Sequence, residues 1–183
     1  MTRRVALLGL SGVGKSTFIS RVARQSPLLH LQASSLIKAE QARREQNPES
    51  SEELRTGAVL NNQELLVAAF LRTAGGSALP IVFDGHSVVD GQNGLVEIPA
   101  SVFAALRLTG IFFLRADPLV IAQRRTADVH RSRPFREPGT LAEHQRIARD
   151  VSRRIAHEIG CEFQEITAAD MSKFAQALAL QHE

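Results

Sequence analysis

The chain opens with an apolar run, RVALL at 4–8, of the continuous kind that a strand buried on both faces requires. At 16–23 the pattern changes to helical spacing through Phe18, Ile19 and Val22. LLHLQ from Leu28 predicts a second strand, and Ser34 and Ser35 behind it predict the cap of a helix carrying Leu36, Ile37 and Ala39. The polar stretch QNPESSEE ends that helix. Ser50 with Glu53, and Asn61 with Glu64, have capping-box spacing and predict two short helices within 52–73, stopped by Gly75 and Gly76. LPIVFDG predicts a third buried strand. HSVVDGQNGLVEIP then sets Asp-Gly and Asn-Gly pairs between Val88, Val89 and Leu95, Val96, a hairpin signal ahead of a helix at 100–106. GIFFLRA predicts a fourth strand, and Asp117 opens a helix through Arg125. Residues 128–139 read as a surface loop, because Pro134 and Pro138 bar a continued helix. Thr140 with Glu143 predicts the start of the longest helix, in which Ile147, Val151, Ile155 and Ile159 recur every fourth residue until Gly160 closes it. CEFQEI predicts a fifth strand, followed by a C-terminal helix from about Asp170.

Five strands alternating with helices need crossover connections, so the expected fold is α/β: a five-stranded parallel sheet with helices on both faces. At 183 residues and 44% apolar composition the chain fits one domain over 1–183. The lone Cys161 cannot form an internal disulfide, the apolar part of the N-terminus is too short for a signal peptide, and no stretch nears the ~20 apolar residues of a bilayer span. These features predict a cytoplasmic protein with no membrane partner. The formal net charge is only +3, yet nearly all of the positive side is arginine. Planar guanidinium groups favour bidentate recognition of anions such as phosphate.

The chemistry concentrates at GLSGVGKST, 9–17. Gly9-x4-Gly14-Lys15-Ser16 has phosphate-loop spacing and stands between a predicted strand and a predicted helix, which is the context that pattern needs. Backbone N–H groups of Gly12, Val13, Gly14, Lys15 and Ser16 are expected to face phosphate oxygens, an approach that side chains on the glycines would block. Lys15 would reach the β- and γ-phosphates, and the Ser16 hydroxyl suits Mg²⁺ beside phosphate oxygens and water. Asp84 ends the third strand, where ligands of parallel sheets gather, and is a candidate for holding a Mg²⁺-bound water; otherwise it caps the next turn. His86 beside it has no metal-ligand spacing. Arg124, Arg125, Arg131, Arg133 and Arg136 crowd into thirteen residues, a density that repels itself unless anions arrive.

Taken in order, these motifs resemble the archaeal-type adenylate kinases, small phosphate-loop nucleoside monophosphate kinases with bacterial relatives. The similarity spans nearly the whole chain. GLSGVGKST is similar to their phosphate loop, extended to Thr17, and IVFDGH to their strand ending in Asp-x-His. SEELRTGAVLNNQELL resembles the stretch that carries the acceptor-site arginine, which falls on Arg55 with Gln63 nearby. ADPLVIAQRRTADVHRSRP resembles their Asp-Pro helix and lid and puts lid arginines at Arg124, Arg125, Arg131 and Arg133; EHQRIAR resembles their post-lid helix, whose arginine falls on Arg149. Two positions depart from the family pattern: Pro134 follows Arg133 where an acidic residue is common, and Gln123 stands where arginine is frequent.

The resemblance implies a phosphate-loop kinase fold with an acceptor segment at about 33–73 and a lid at about 128–139. It implies ATP with Mg²⁺ as cofactors and the reaction ATP + AMP to two ADP. The expected roles follow. Lys15, Arg131 and Arg133 are catalytic; 12–17 with Arg124 and Arg125 hold ATP; Ser34, Arg55, Gln63, Asp84, His86 and Arg149 line the acceptor; Ser16 and Asp84 serve the metal. Relatives can be trimers, which leaves an oligomer open. The residues themselves favour a phosphate acceptor, because a monoester with a second pKa near ~6 is already anionic and needs no general base. Just past the second strand stand Gln32, Ala33 and two serines, where a hydroxyl acceptor would gain from a carboxylate. A kinase for another nucleotide or for a hydroxyl metabolite, and an ATPase without acceptor, remain the alternatives. With no Trp or Tyr for base stacking, a nucleic-acid partner is not expected.

Overall fold

The computed structural model describes residues 2–44, 62–91, 94–128 and 134–179. Strand β1 (Arg4–Leu8) leads through a loop to helix α1 (Lys15–Ala23), and β2 (Leu29–Gln32) runs directly into α2 (Ala33–Arg43). Helix α3 (Asn62–Ala74) precedes β3 (Ile81–Asp84), the hairpin β4 (Val88–Gly91) and β5 (Gly94–Glu97), and the short α4 (Ala100–Ala105). The chain continues through β6 (Gly110–Leu114), α5 (Pro118–Ala127), the long α6 (Pro138–Glu158), β7 (Glu162–Ile166) and α7 (Met171–Ala179).

The five long-range strands form one parallel sheet in the order β2-β3-β1-β6-β7, as the alternation of apolar runs and helical stretches predicts. β1 is central and wholly apolar after Arg4. Its neighbours are in register: Leu7 lies beside Asp84 on β3 and beside Phe112 on β6. This alignment brings the carboxyl ends of β1 and β3 level, on either side of the point where the strand order departs from the chain order. The hairpin β4–β5 is antiparallel and stays outside the main sheet.

Alternate side chains of a strand point to opposite faces, so Phe112 covers one face of β6 while Ile111 and Phe113 cover the other. All three are fully buried. Phe112 meets Phe174 of α7 edge-on at 4.8 Å between ring centres, and Phe174 meets Phe18 of α1 at 5.4 Å, which joins those helices to the sheet through aromatic contacts. Helix α6 buries Leu141, Ala148, Val151, Ile155 and Ala156; of the stripe read from the sequence, Val151 and Ile155 are buried, while Ile147 and the cap residue Ile159 are partly buried against the core. Gly160 at φ +68 and the bond from Cys161 N–H to the Ala156 carbonyl close it.

Two predicted helix starts are corrected. α2 begins at Ala33 with Gln32 as its cap, so Ser34 and Ser35 lie inside the first turn, and Ser35 Oγ donates to Gln32 Oε1 at 3.2 Å. α6 begins at Pro138, whose fixed φ suits the first helical position, and Glu137 is the cap. Glu143 is thereby free of a capping role and accepts from Arg146 at 2.6 Å. The capping pairs at 50–53 and at Asn61 lie outside the described residues. No helix among the described residues is long and apolar enough to cross a membrane.

Candidate active site

The loop after β1 turns sharply because Gly12 and Gly14 adopt φ of +90° and +104°, a region that L side chains rarely enter. Both glycines are also closely covered. A Cβ on Gly12 would lie 2.9 Å from Arg125 Cγ, and one on Gly14 would lie 2.9 Å from Arg124 Nη1. Gly14 is the cap of α1, its carbonyl accepts from Phe18 N–H at 3.0 Å, and the first turn of α1 holds no acidic residue. The positive end of the helix dipole therefore faces the loop with no carboxylate of the helix's own first turn to neutralise it.

Lys15 begins α1 and is buried. Its Nζ donates to the Gly9 carbonyl at 3.1 Å and stands 3.8 Å from Asp84 Oδ1. Asp84 gathers several partners: Oδ2 accepts from Ser16 Oγ at 3.3 Å and meets His30 Nε2 at 3.3 Å. Burial raises the pKa of this carboxyl, but the hydrogen bond from His30 and the charge on Lys15 outweigh it, and the net shift is downward. Asp84 is a carboxylate at neutral pH.

His86, two residues on, holds its Nδ1 2.7 Å from the Gly9 carbonyl. An imidazole nitrogen that close to a carbonyl oxygen is the protonated one, which makes Nε2 the acceptor. Burial, and then the charge on Lys15, push its pKa down to about 3, so the ring is neutral at physiological pH.

From the opposite side α5 supplies two guanidinium groups to the loop carbonyls. Arg124 Nη1 donates to Val13 O at 2.6 Å, and Arg125 Nε donates to Ser11 O at 2.8 Å. Asp117 caps this helix by accepting from Leu119 N–H at 2.8 Å.

Beside the loop lies a cavity of about 160 Å³. One wall is apolar, with Ile37, Leu66, Phe83, Val88 and Phe103; Gln32, Ser34, Asn62 and Gln63 supply amides and a hydroxyl; Ser11, Asp84, His86, Asp90 and Arg125 border it on the loop side. The structure thus brings Ser34, Gln63, Asp84, His86 and Arg125 to one cavity; Lys15 and Ser16 adjoin it through Asp84, and Arg124 bonds the loop at Val13 O without lining the cavity. Thr17 is exposed, on the first turn of α1. Arg149 is not brought there. Ala148, Val151 and Ser152 are the buried side of α6, so its rotation turns Arg149 toward Asp150 at 2.9 Å and Glu165 at 4.0 Å. Arg55, Arg131 and Arg133 lie outside the described residues. The sequence reading did not single out His30 or Asp90, although both touch this site.

Ser16 and Asp84 form a hydroxyl and carboxylate pair, the kind of donor set that Mg²⁺ uses beside phosphate oxygens and water. Among the described residues no group of three or more His, Cys, Asp or Glu side chains gathers to hold a metal by itself.

A parallel sheet whose central strand ends in this loop, with a strand-end aspartate beside the lysine, is the arrangement of a phosphate-loop kinase, an ATP-dependent phosphotransferase. Residues 8–142 match the model of a family described as AAA domain, and the chain belongs to that family. It is 28% identical over 166 residues to an adenylate kinase of Methanoculleus marisnigri, an alignment covering 87% of this chain and 86% of that protein. Its fold is similar to a shikimate kinase from Bacteroides thetaiotaomicron, with TM-score 0.58, 17% identity and coverage of 97% and 99% of the two chains. It is also similar to a gluconokinase from Sinorhizobium meliloti, with TM-score 0.53, 18% identity and coverage of 97% and 91%.

Proposed function

We propose that the protein is a nucleoside monophosphate kinase that transfers the terminal phosphoryl group of ATP to AMP with Mg²⁺, releasing two ADP. The observation that carries this reading is the shared border: Ser11, Asp84, His86 and Arg125 belong both to the surroundings of the phosphate loop and to the wall of one cavity. An acceptor in that cavity meets the end of a triphosphate held by 12–17. Positioning and charge neutralisation then do most of what phosphoryl transfer requires.

Lys15 exchanges its carbonyl and carboxylate partners for phosphate oxygens, while Arg124 and Arg125 cover the loop from above. Ser16 and Asp84 are the residues that would hold Mg²⁺, which supplies neutralisation of the charge spread over the bridging phosphates. Gln32, Ser34, Asn62 and Gln63 offer donors and acceptors suited to a base edge against an apolar wall. The adenylate kinase relative supports AMP as acceptor. The roles read for Arg55, Arg131 and Arg133 stay part of the proposal.

A second reading, transfer to a hydroxyl-bearing metabolite, is favoured by one feature. Asp84 borders the cavity as a carboxylate, so it can take a proton from a hydroxyl, whereas His86 beside it, with its pKa pushed down to about 3, is too weak a base for that task. The similar structures named gluconokinase and shikimate kinase give that class its members for a test.

The test is ADP formation from ATP and Mg²⁺ with AMP, other nucleoside monophosphates, gluconate and shikimate offered singly. AMP is expected to be the fastest acceptor, with Arg55→Ala raising its KM. Transfer to a hydroxyl compound with none to AMP overturns the first reading in favour of the second.

A further inference from the structure

The hairpin β4–β5 belongs neither to the main sheet nor to the phosphate loop, yet it carries a buried carboxylate to the edge of the site. Its root is tied to α6. Ser87 Oγ donates to the Ala148 carbonyl at 2.9 Å, Ser152 Oγ donates to Ser87 Oγ at 2.9 Å, Ile98 N–H donates to the Ser87 carbonyl, and Arg154 pairs with Glu97. From this fixed root Val88, Val89 and Asp90 extend along the cavity.

The Asp90 side chain is 8% exposed and lies between two guanidinium groups. Its Oδ2 accepts from Arg125 Nη1 at 3.2 Å and its Oδ1 accepts from Arg136 Nη2 at 3.2 Å. His144 Nδ1 is 3.7 Å away, and burial together with the charges on Arg136 and Arg125 keeps that ring neutral despite the carboxylate. Among the described residues the charged partners of Asp90 are therefore these two arginines.

A buried negative group beside a polyanion site works against binding unless it performs a task there. The geometry supplies the task. Arg125 Nε is held on Ser11 O and its Nη1 on Asp90, so two fixed points set the plane of the guanidinium between the phosphate loop and the cavity. We propose that Asp90 is a positioning residue: through its pair with Arg125 it holds that guanidinium where the terminal phosphate of the bound nucleotide, and not the inner ones, meets it.

This rests on the phosphate-loop kinase reading and needs no choice of acceptor. The test is calorimetric titration of the full chain with Mg·AMPPNP, a non-hydrolysable ATP analogue, and separately with Mg·ADP, for wild type, Asp90→Asn, Asp90→Glu, Arg125→Ala and the double variant D90N/R125A. Asp90→Asn is expected to cut the preference for AMPPNP over ADP by about tenfold, the loss of one charge-assisted hydrogen bond, with ADP affinity unchanged. Asp90→Glu is expected to restore most of the preference. Arg125→Ala is expected to lose as much, and the double variant no more than Arg125→Ala alone. If Asp90→Asn does not fold, as judged by circular dichroism, Asp90→Ser takes its place. An unchanged preference overturns the proposal, as does equal tightening of both nucleotides, which is what simple removal of a negative charge gives. Multiplicative loss in the double variant overturns it too, because Asp90 would then act apart from Arg125. No acceptor enters the titration, so failure of AMP in the acceptor panel and failure here are separate results.

Discussion

Asp84→Asn keeps the shape of a side chain that is only 4% exposed and removes its charge, which makes it a sharp probe of the site. Three groups lose a charged partner: Ser16 Oγ at 3.3 Å, His30 Nε2 at 3.3 Å and the buried Lys15 ammonium at 3.8 Å. Hydrogen bonds to charged groups contribute about 1.5–3 kcal/mol each, and part of that returns through the new amide, so a net loss of about 2–3 kcal/mol is expected. For a chain of this size that is a fall in Tm of about 5–10 °C. The pH dependence has a definite sign. The folded pKa of Asp84 lies below its ordinary 3.8, so its stabilisation is complete above that value and disappears as pH falls through the folded pKa. The gap between wild type and variant is therefore constant from pH 7 to 5, begins to narrow near 4, where the unfolded wild-type carboxyl takes up its proton, and closes only once pH falls below the lowered folded pKa. Phosphate replaces the carboxylate beside Lys15, so saturating ATP raises the Tm of the variant at least as much as that of wild type. Turnover falls by about 10- to 100-fold, the scale of losing a partner that supports a bound metal. Thermal melts at pH 7, 5, 4 and 3 with a parallel turnover assay decide the matter. A variant that melts within a degree of wild type at every pH and turns over normally refutes the reasoning.

The remaining predictions concern separate parts of the molecule. His86 titrates near 3 when folded and near 6.5 when unfolded, so its stabilisation is complete above about 6.5 and is lost progressively as pH falls below it; His86→Gln is expected to flatten that limb of a pH series of urea melts. Phe174→Ala removes the ring that joins Phe18 to Phe112 and is expected to cost about 3–5 kcal/mol by thermal melting, with turnover at low temperature preserved. Gly12→Ala places a Cβ at φ +90 against Arg125 Cγ and is expected to weaken nucleotide binding by about tenfold or more, measured by competition with a fluorescent ATP analogue. An alanine there that binds normally contradicts the close cover assigned to Arg125.

Much of the fold was legible because its signals are local. RVALL, IVFD and GIFFL are continuous apolar runs that only a doubly covered strand accommodates, and each is buried in the central sheet. Asp117 before Pro118 announced its cap, and Asp-Gly with Asn-Gly announced the hairpin. The phosphate loop was legible because its glycines meet two demands at once, positive φ and close cover. Where two local signals competed, the reading erred by a few residues: Pro138 and Thr140 both start helices well, and the proline with its fixed φ took the position. Asp90 was legible only as a turn residue, since its partners are 35 and 46 positions away along the chain. His30 was hidden inside an apolar run, and its tie to Asp84 depends on the β2–β3 register. Arg149 matched a motif, but its direction depends on which side of α6 the sheet covers.

The central claim is that the loop around Lys15 holds a nucleotide triphosphate at the mouth of the cavity. Equilibrium binding of Mg·AMPPNP to the wild-type and Lys15→Ala proteins tests it most directly. The account predicts saturable one-to-one binding to wild type and affinity at least about tenfold weaker for Lys15→Ala. Binding to wild type that cannot be detected, or equal binding to both proteins, would contradict it.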